Sequence, residues 1–158
     1  MEIVTAYDRQ KDAAALVAEY TELLAKRGED VQKCLAAQQL EKELHNLWKK
    51  YGPPRGAMYL ALVNGRAVGC AALTPNDGET CEIKRLYVRP AYRGLHIGRA
   101  LTEKIIDTAR FIGYRRMRLD TFPFMDKAIR MYESLGFVRI GRYNDNPVET
   151  AVFMQLEL

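Results

Sequence analysis

A short glycine-containing loop between a strand pattern and a helix pattern is the part of the sequence most suited to chemistry. It runs from Arg93 to Arg99 and reads Arg-Gly-Leu-His-Ile-Gly-Arg. The strand pattern before it stops at Pro90, because proline has no amide hydrogen for a sheet ladder. The residues after it show the apolar spacing of one helix face. Since the first turn of a helix has unpartnered N–H groups and partial positive charge, this arrangement predicts a site for a phosphate or a diphosphate.

The loop differs from two common nucleotide-binding loops. It lacks the Gly-Lys-Ser/Thr ending of the nucleotide-hydrolysing P-loop, and its glycine spacing is not that of the dinucleotide fingerprint. It resembles instead the acyl-CoA-binding loop of the GNAT family of N-acetyltransferases, which runs Arg/Gln-x-x-Gly-x-Gly/Ala. Arg93 takes the first place, Gly98 takes the last, and His96 stands where the first glycine is usual.

A second segment, residues 128–137, resembles the other signature of this family, a helix that bears a tyrosine and ends in Leu-Gly-Phe. The two signatures occur in the family's order and spacing. The resemblance covers roughly Tyr59 to the C-terminus, whereas the N-terminal helices fit only loosely. It implies an α/β fold with a mixed, mostly antiparallel central sheet flanked by helices on both faces. A length of 158 residues fits a single acyltransferase domain over residues 1–158.

The resemblance implies transfer of an acetyl group from acetyl-CoA to a primary amine of a small molecule or peptide, by direct attack in a ternary complex. Acetyl-CoA is then the cosubstrate, and no metal is expected. The central strand and the strand after the next helix are expected to splay apart and leave a slot for the pantetheine arm. The implied cofactor contacts are the main chain of Leu86, Tyr87 and Val88 for this arm, and Arg93, Gly94, Leu95, His96, Ile97, Gly98 and Arg99 for the diphosphate.

Two residues match catalytic positions of the family. The attacking amine must lose a proton, and the departing thiolate is helped by a positioned acid. Tyr132 matches the tyrosine that protonates the sulfur, although a core tyrosine with its hydroxyl at the rim has the same spacing. Glu82 matches the glutamate that acts as the base in some members, and the alternative is a strand glutamate paired with Lys84 or an arginine. A β-bulge in this strand would change which side chains face the slot.

Two positions depart from the family pattern. Glycine at position 96 would allow a positive φ, but histidine tolerates that region better than most residues. We therefore expect the loop to keep its shape and bind CoA, with the imidazole turned outward or towards a phosphate. Met125 stands where an asparagine is frequent, seven residues before Tyr132, which removes one polar contact to the cofactor.

The hydrophobic periodicity predicts the order β, α, α, three antiparallel strands, α, β, α, β, β. Asp8 is expected to cap the first helix, and a single second helix is expected over residues 30–50. Asn64-Gly65 predicts a type I′ hairpin turn. Arg85 and Arg89 are expected to be solvated strand residues without a role.

The composition excludes several classes of protein. With 48% hydrophobic and 28% charged residues, the chain is an ordinary globular protein. Its three cysteines, Cys34, Cys70 and Cys81, lack paired spacing, which predicts free thiols in a reducing cytoplasm and neither a zinc site nor a disulfide framework. Neither a signal-peptide pattern nor an apolar run of ~20 residues occurs, so we expect a cytoplasmic protein without a membrane partner.

Charge and loop composition leave the partner open. The formal net charge is +4, but the basic residues are dispersed, which does not favour nucleic-acid binding. Asp145 and Glu149 suit a cationic acceptor amine, although a polar turn around Pro147 explains them equally well. In the family, the first two helices and the loop over residues 143–150 wall the acceptor pocket. The alternatives are a catalytically silent acyl-CoA-binding sensor or partner domain and a nucleic-acid-binding module; a homodimer is left open.

Overall fold

Seven strands and six α-helices follow one another in the computed structural model, which describes residues 1–158. The strands are β1 (Glu2–Thr5), β2 (Ala57–Val63), β3 (Arg66–Pro75), β4 (Thr80–Val88), β5 (Arg116–Thr121), β6 (Val138–Ile140) and β7 (Val152–Glu157). The helices are α1 (Gln10–Ala25), α2 (Glu29–Ala37), α3 (Leu40–His45), α4 (Leu47–Tyr51), α5 (Ile97–Ile112) and α6 (Asp126–Ser134). A single 3₁₀ turn spans Pro90–Tyr92.

The strands form one sheet in the order β1-β2-β3-β4-β5-β7-β6, and every neighbouring pair except β4 and β5 is antiparallel. The apolar side chains of the sheet point alternately to its two faces. One face packs on α1 to α4 and the other on α5 and α6. This arrangement confirms the expected fold class, a mixed and mostly antiparallel sheet with helices on both faces.

The parallel strands β4 and β5 separate soon after they meet. They pair only through Thr80 with Arg116, Cys81 with Met117 and Glu82 with Arg118, although β4 continues to Val88. Beyond Glu82 the edge of β4 that faces β5 therefore has no strand partner. The slot that the family resemblance implies is present in the sheet.

A β-bulge in β4 decides which side chains face which side of the sheet. Tyr87 lies opposite Cys70 and Lys84 lies opposite Ala72, so two residues of β4 oppose one residue of β3. Arg85 takes the extra place with a φ of 58°. Because the bulge shifts the alternation by one residue, Arg85 points to the same face as Lys84, the face covered by α1 to α4.

The helical segment after α1 differs from the prediction. Instead of one helix over residues 30–50, it contains α2, α3 and α4. Gln39 has a φ of 53°, which stops α2, and Asn46 begins α4 by accepting a hydrogen bond from the Lys49 amide (3.2 Å). All three short helices bury apolar residues against the sheet, so the apolar spacing continues across both breaks. For this reason the spacing gave no sign of the breaks.

The expected cap of α1 is also wrong. The helix begins after Arg9, whose position has no side-chain cap, and Asp8 contributes none. The Arg9 Nε donates to Asp12 in the first turn (2.8 Å) instead. An acidic residue in the first turn stabilises the positive end of the helix.

Other turns follow the sequence closely. Asn64 and Gly65 both have positive φ, which confirms the type I′ hairpin. Gly136 (φ 98°) ends α6, and the Phe137 amide donates back to the Tyr132 carbonyl (3.0 Å). This closure fixes the last turn of α6 and with it the backbone of Tyr132. None of the helices combines the length and apolar character that crossing a bilayer requires.

Candidate active site

The loop before α5 presents a row of free main-chain donors. The N–H groups of residues 94–99 have no acceptor within the chain, and the first bond of the helix runs from the Ala100 amide to the His96 carbonyl (3.1 Å). Six consecutive N–H groups at a helix N-terminus form a concave, positively polarised surface. A diphosphate is the ligand that matches such a surface.

The backbone of this loop has the shape expected from its sequence. Gly94 and His96 both have positive φ, 82° and 58°, so histidine occupies the left-handed region in place of the usual glycine. The His96 side chain is exposed and forms no hydrogen bond. A Cβ at Gly98 would meet only Val88 Cγ2, at 3.8 Å, so the space in front of the loop is open.

The two arginines that flank the loop are anchored differently. Arg93 donates from Nε to the Val88 carbonyl (3.2 Å) and is otherwise exposed. Arg99 donates from Nε to Glu103 (2.9 Å) and from Nη1 to Ser134 on α6 (3.0 Å). The structure thus brings the whole predicted segment, from Arg93 to Arg99, to one end of the slot.

A cavity of about 70 Å³ occupies the separation between β4 and β5. Its walls come from both faces of the sheet, because the strands have parted there. Apolar residues of the strands and α6 line one side, among them Ile83, Leu86 and Leu119. Of the predicted pantetheine contacts, Leu86 lines the cavity, whereas the Tyr87 side chain points to the other face and its hydroxyl lies 3.5 Å from Glu19. All three residues, Leu86 to Val88, lie on the stretch of β4 that β5 leaves unpaired.

Tyr132 lines this cavity from α6 and is 6% exposed. Its ring packs against Phe137, with the ring centroids 5.5 Å apart, and its hydroxyl has no hydrogen-bond partner in the chain. Burial raises the pKa of Tyr132 above its usual value, so the hydroxyl stays protonated at neutral pH. A side chain in this position and state can donate a proton to a group inside the cavity.

Glu82 lies beside the cavity but does not line it. Its carboxylate accepts hydrogen bonds from Asn76 Nδ2 (2.7 Å) and the Tyr143 hydroxyl (3.1 Å). It also forms an ion pair with Lys84 (3.1 Å), the partner named in the alternative interpretation of this residue. The carboxylate is therefore well held, on the face of the sheet covered by α1 to α4.

Asp120 is a carboxylate of the cavity wall that no sequence motif indicates. Asn144 and Asn146 each donate to its Oδ2 at 3.0 Å, and Lys84 lies 3.3 Å from its Oδ1. Burial raises the pKa of Asp120, but the Lys84 ammonium and the two amide donors outweigh it and hold this pKa below its usual value. No local pattern indicated the residue, because its partners lie 24 to 36 residues away.

Arg85 is buried, which corrects the expectation of a solvated side chain. It forms a bidentate pair with Glu43 of α3 (Nε–Oε2 2.7 Å, Nη2–Oε1 3.0 Å) and donates from Nη1 to Gln38 (2.7 Å). The bulge turns its side chain under the helices, where the paired groups are 6% and 3% exposed. Arg89 is likewise paired, with Glu19 at 2.6 Å, because the strand ends beneath α1.

The first two helices and the loop after β6 do wall the cavity, as the resemblance implies. The lining residues are Tyr20 of α1, Cys34 of α2, Gln38 directly after α2, and Asn146 of the loop. The two acidic residues proposed there, Asp145 and Glu149, are exposed and outside the cavity. The loop is instead a polar turn, in which the side chains of Asn144 and Asn146 each accept a backbone N–H two residues ahead.

Comparisons with known proteins agree with this geometry. The sequence model of the acetyltransferase (GNAT) family matches residues 25–137. A protein of Schizosaccharomyces pombe named as an N-acetyltransferase is 44% identical over 126 residues, which cover 78% of this chain and 77% of that protein. A protein of Escherichia coli, also named as an N-acetyltransferase, is 33% identical over 103 residues, covering 63% of this chain and 62% of that protein.

Solved structures show the same fold. An acetyltransferase from Streptococcus agalactiae has a TM-score of 0.76 at 24% identity and covers 99% of this chain and 98% of its own. A Salmonella typhimurium structure described as an acetyltransferase with its cofactor acetyl-CoA has a TM-score of 0.68 at 25% identity, covering 99% of this chain and 93% of its own. The match of the family model and the identity to the yeast protein together show that this chain belongs to the GNAT family of acetyltransferases.

Proposed function

We propose that the protein transfers an acetyl group from acetyl-CoA to a primary amine of a small molecule or peptide, by direct attack in a ternary complex. The observation that carries the proposal is the row of six free N–H groups from Gly94 to Arg99 at the mouth of a slot between separated strands. A diphosphate bound by these N–H groups directs the attached pantetheine into the slot. Membership of an acetyltransferase family supports the same reaction.

The residues present fit acetyl-CoA in three respects. The free amides match its diphosphate, the open space at Gly98 lets the phosphate approach the backbone, and the unpaired edge of β4 suits an extended arm carrying amide groups. Leu86, Tyr87 and Val88 offer main-chain groups along that edge. When bound, acetyl-CoA supplies the thioester; the protein supplies binding, orientation and proton transfer.

In our proposal Tyr132 is the general acid. Tyr132 lines the slot, and its hydroxyl has no partner within the chain and stays protonated because burial raises its pKa. It is therefore available to give a proton to the leaving thiolate. An acid of this kind contributes typically 10²- to 10⁴-fold to a rate.

Glu82 is our proposed general base. Its carboxylate faces the acceptor side of the sheet, and the Lys84 ammonium links it to the wall of the cavity. Since Glu82 does not line the cavity, the proton of the amine reaches it through an intervening water. The acceptor amine itself enters from the side of α1 and α2, opposite α5 and α6.

A thiol-release assay with acetyl-CoA and a panel of polyamines, amino acids, aminoglycosides and peptides tests the proposal. We expect release with at least one amine, and a rate at least 100-fold lower in Tyr132→Phe. Tyr59→Phe is the matched control, because its hydroxyl bonds Thr108 on α5 (2.9 Å) and Tyr59 does not line the cavity. If acetyl-CoA raises the melting temperature but no amine releases thiol, the protein is a CoA-binding domain without the chemistry.

A further inference from the structure

The cavity wall on the acceptor side carries charges of opposite sign at two positions. At the first, Arg85 and Lys50 both pair with the single carboxylate of Glu43, at 2.7 and 3.1 Å. Two cations that share one anion leave an excess of one positive charge there. Arg85 is the member of this group that lines the cavity.

The second position has the opposite imbalance. The single ammonium of Lys84 pairs with two carboxylates, Glu82 at 3.1 Å and Asp120 at 3.3 Å. The excess there is one negative charge. Asp120 lines the same cavity as Arg85, and its side chain is 9% exposed.

The positive position also has donors without acceptors. A guanidinium has five N–H groups, and Arg85 uses three of them, two towards Glu43 and one towards Gln38. The other two have no acceptor in the chain, although the side chain is only 6% exposed. Tyr20 lines the same wall, and its hydroxyl has no hydrogen-bond partner in the chain. Buried donors without acceptors are costly, and a carboxylate is the group that best satisfies a guanidinium fork.

We infer that the acceptor of this enzyme is a small amino-carboxylate, such as a free amino acid. Its carboxylate binds to Arg85 and Tyr20, and its amine binds at Asp120, beside the thioester. This inference rests on the proposed function and names the substrate class of the same site. A simple monoamine matches only the negative position and leaves the donors of Arg85 without an acceptor.

The first test compares matched acceptors in the thiol-release assay. Each amino acid is assayed beside its primary amide and its decarboxylated amine, with β-alanine and γ-aminobutyrate as longer amino-carboxylates. We expect the best acceptor to carry a carboxylate, and its kcat/KM to fall at least tenfold when that group is amidated or removed, the effect of losing a charge-assisted hydrogen bond.

The outcomes separate this inference from the proposed function. Amines without a carboxylate that are acetylated as well as the matched amino acids overturn the inference and leave the N-acetyltransferase standing. Release of thiol from no amine at all overturns the proposed function, and the inference falls with it.

Substitutions provide the second test. Tyr20→Phe keeps the ring and removes only the free hydroxyl, so we expect folding to be unaffected and KM for the amino acid to rise threefold to tenfold. Arg85→Lys keeps the charge but loses the fork, and a larger rise is expected. In both variants the loss of kcat/KM should be much smaller for the decarboxylated amine than for the amino acid.

The control variant and the outcome that would contradict the inference both depend on comparing acceptors with and without a carboxylate. Tyr59→Phe, on the opposite face of the sheet, should alter kcat/KM for neither kind of acceptor. A merely structural role for Arg85 and Tyr20 predicts equal losses for acceptors with and without a carboxylate. Equal losses in Tyr20→Phe alone are enough to overturn the inference, even if Arg85→Lys does not fold.

Discussion

Lys84 is a buried ammonium between two carboxylates, Glu82 and Asp120. Burial lowers its pKa, but the charges of Asp120 and Glu82 outweigh burial and raise the pKa above the usual value of a lysine. Lys84 therefore stays charged at neutral pH and is unsuited to accept the proton of the acceptor amine. Of the two carboxylates, only Asp120 lines the cavity, which agrees with the proposed roles of Glu82 as the base and Asp120 as the group that binds the amine.

Replacement of each carboxylate by its amide separates these tasks. We expect Glu82→Gln to lower kcat by about 10²- to 10⁴-fold and to change the acceptor KM little. We expect Asp120→Asn mainly to raise the acceptor KM. Steady-state kinetics with the best acceptor measures both, and Glu133→Gln on the exposed face of α6 is the control. An unchanged kcat in Glu82→Gln would remove this residue from the mechanism.

His96 holds a backbone conformation that non-glycine residues adopt at a cost. In His96→Gly the loss of strain is offset by the greater freedom of the unfolded chain, so the unfolding free energy should change by less than about 1 kcal/mol. A β-branched residue fits this region worst, so His96→Val should cost about 1–2 kcal/mol and weaken CoA binding.

Thermal denaturation and calorimetric titration with CoA measure these effects. If the wild type binds no CoA, the loop has lost its binding function, whatever the effect of His96→Gly. If His96→Val binds CoA as tightly as the wild type, the positive φ at this position has no part in the site.

At the scale of elements, the pair between Arg85 and Glu43 joins α3 to the central strand. Removing one partner of a buried pair leaves an unmatched charge, so Glu43→Gln should lower the unfolding free energy by about 3 kcal/mol. Replacing both, as in Arg85→Met with Glu43→Leu, should restore much of that loss. Urea denaturation of the single and double variants measures the coupling. Strictly additive losses would show that the two residues do not interact.

The carboxylate of Glu43 also predicts how the stability of the folded protein changes at low pH. Burial raises the pKa of Glu43, but Arg85 and Lys50 outweigh it, so the folded pKa lies below the usual 4.5. A carboxyl group of this kind contributes stability that is fully present above pH 4.5 and is lost as the pH falls through the folded pKa. The melting temperature should therefore fall as the pH drops below about 4.5, and less steeply in Glu43→Gln. Parallel curves for the two proteins would contradict this assignment.

The elements show which parts of the fold the sequence predicts. The hairpin at Asn64-Gly65, the span of α5 and the end of α6 follow from local turn chemistry and periodicity, and all agree with the structure. The breaks at Gln39 and Asn46 do not, because the apolar spacing of residues 30–50 continues through them. The turn after α2 coincides with a tertiary contact, the hydrogen bond of Gln38 with Arg85, which no local pattern indicates.

The site was predictable to a similar degree. The loop from Arg93 to Arg99 and Tyr132 carry family signatures, and the structure places both at the slot. Arg85 and Asp120 carry none. Arg85 is buried because a bulge rotates it, and Asp120 is held by residues distant in sequence, so neither environment exists before the chain folds. A single acyltransferase domain and a cytoplasmic location stay predictions.

For the whole molecule, CoA should act as a stabilising ligand. A ligand at 100 times its Kd adds about 2.7 kcal/mol to the unfolding free energy, so the melting temperature should rise by several degrees. Because the free amides of residues 94–99 match the diphosphate, pantetheine without phosphates should raise it much less. Differential scanning fluorimetry with both compounds checks this. Equal shifts would show that the loop before α5 makes no use of the phosphates.

Only three residue pairs join β4 to β5. This short pairing divides the sheet into two parts, one of strands β1 to β4 and the other of β5, β7 and β6. Each part is continuously paired, so we expect any relative motion of the two parts to occur at the short pairing that ends at Glu82. A ligand bound between β4 and β5 contacts both parts of the sheet and limits their relative motion. Amide hydrogens on the two sides of the gap should then exchange more slowly together when the gap is filled.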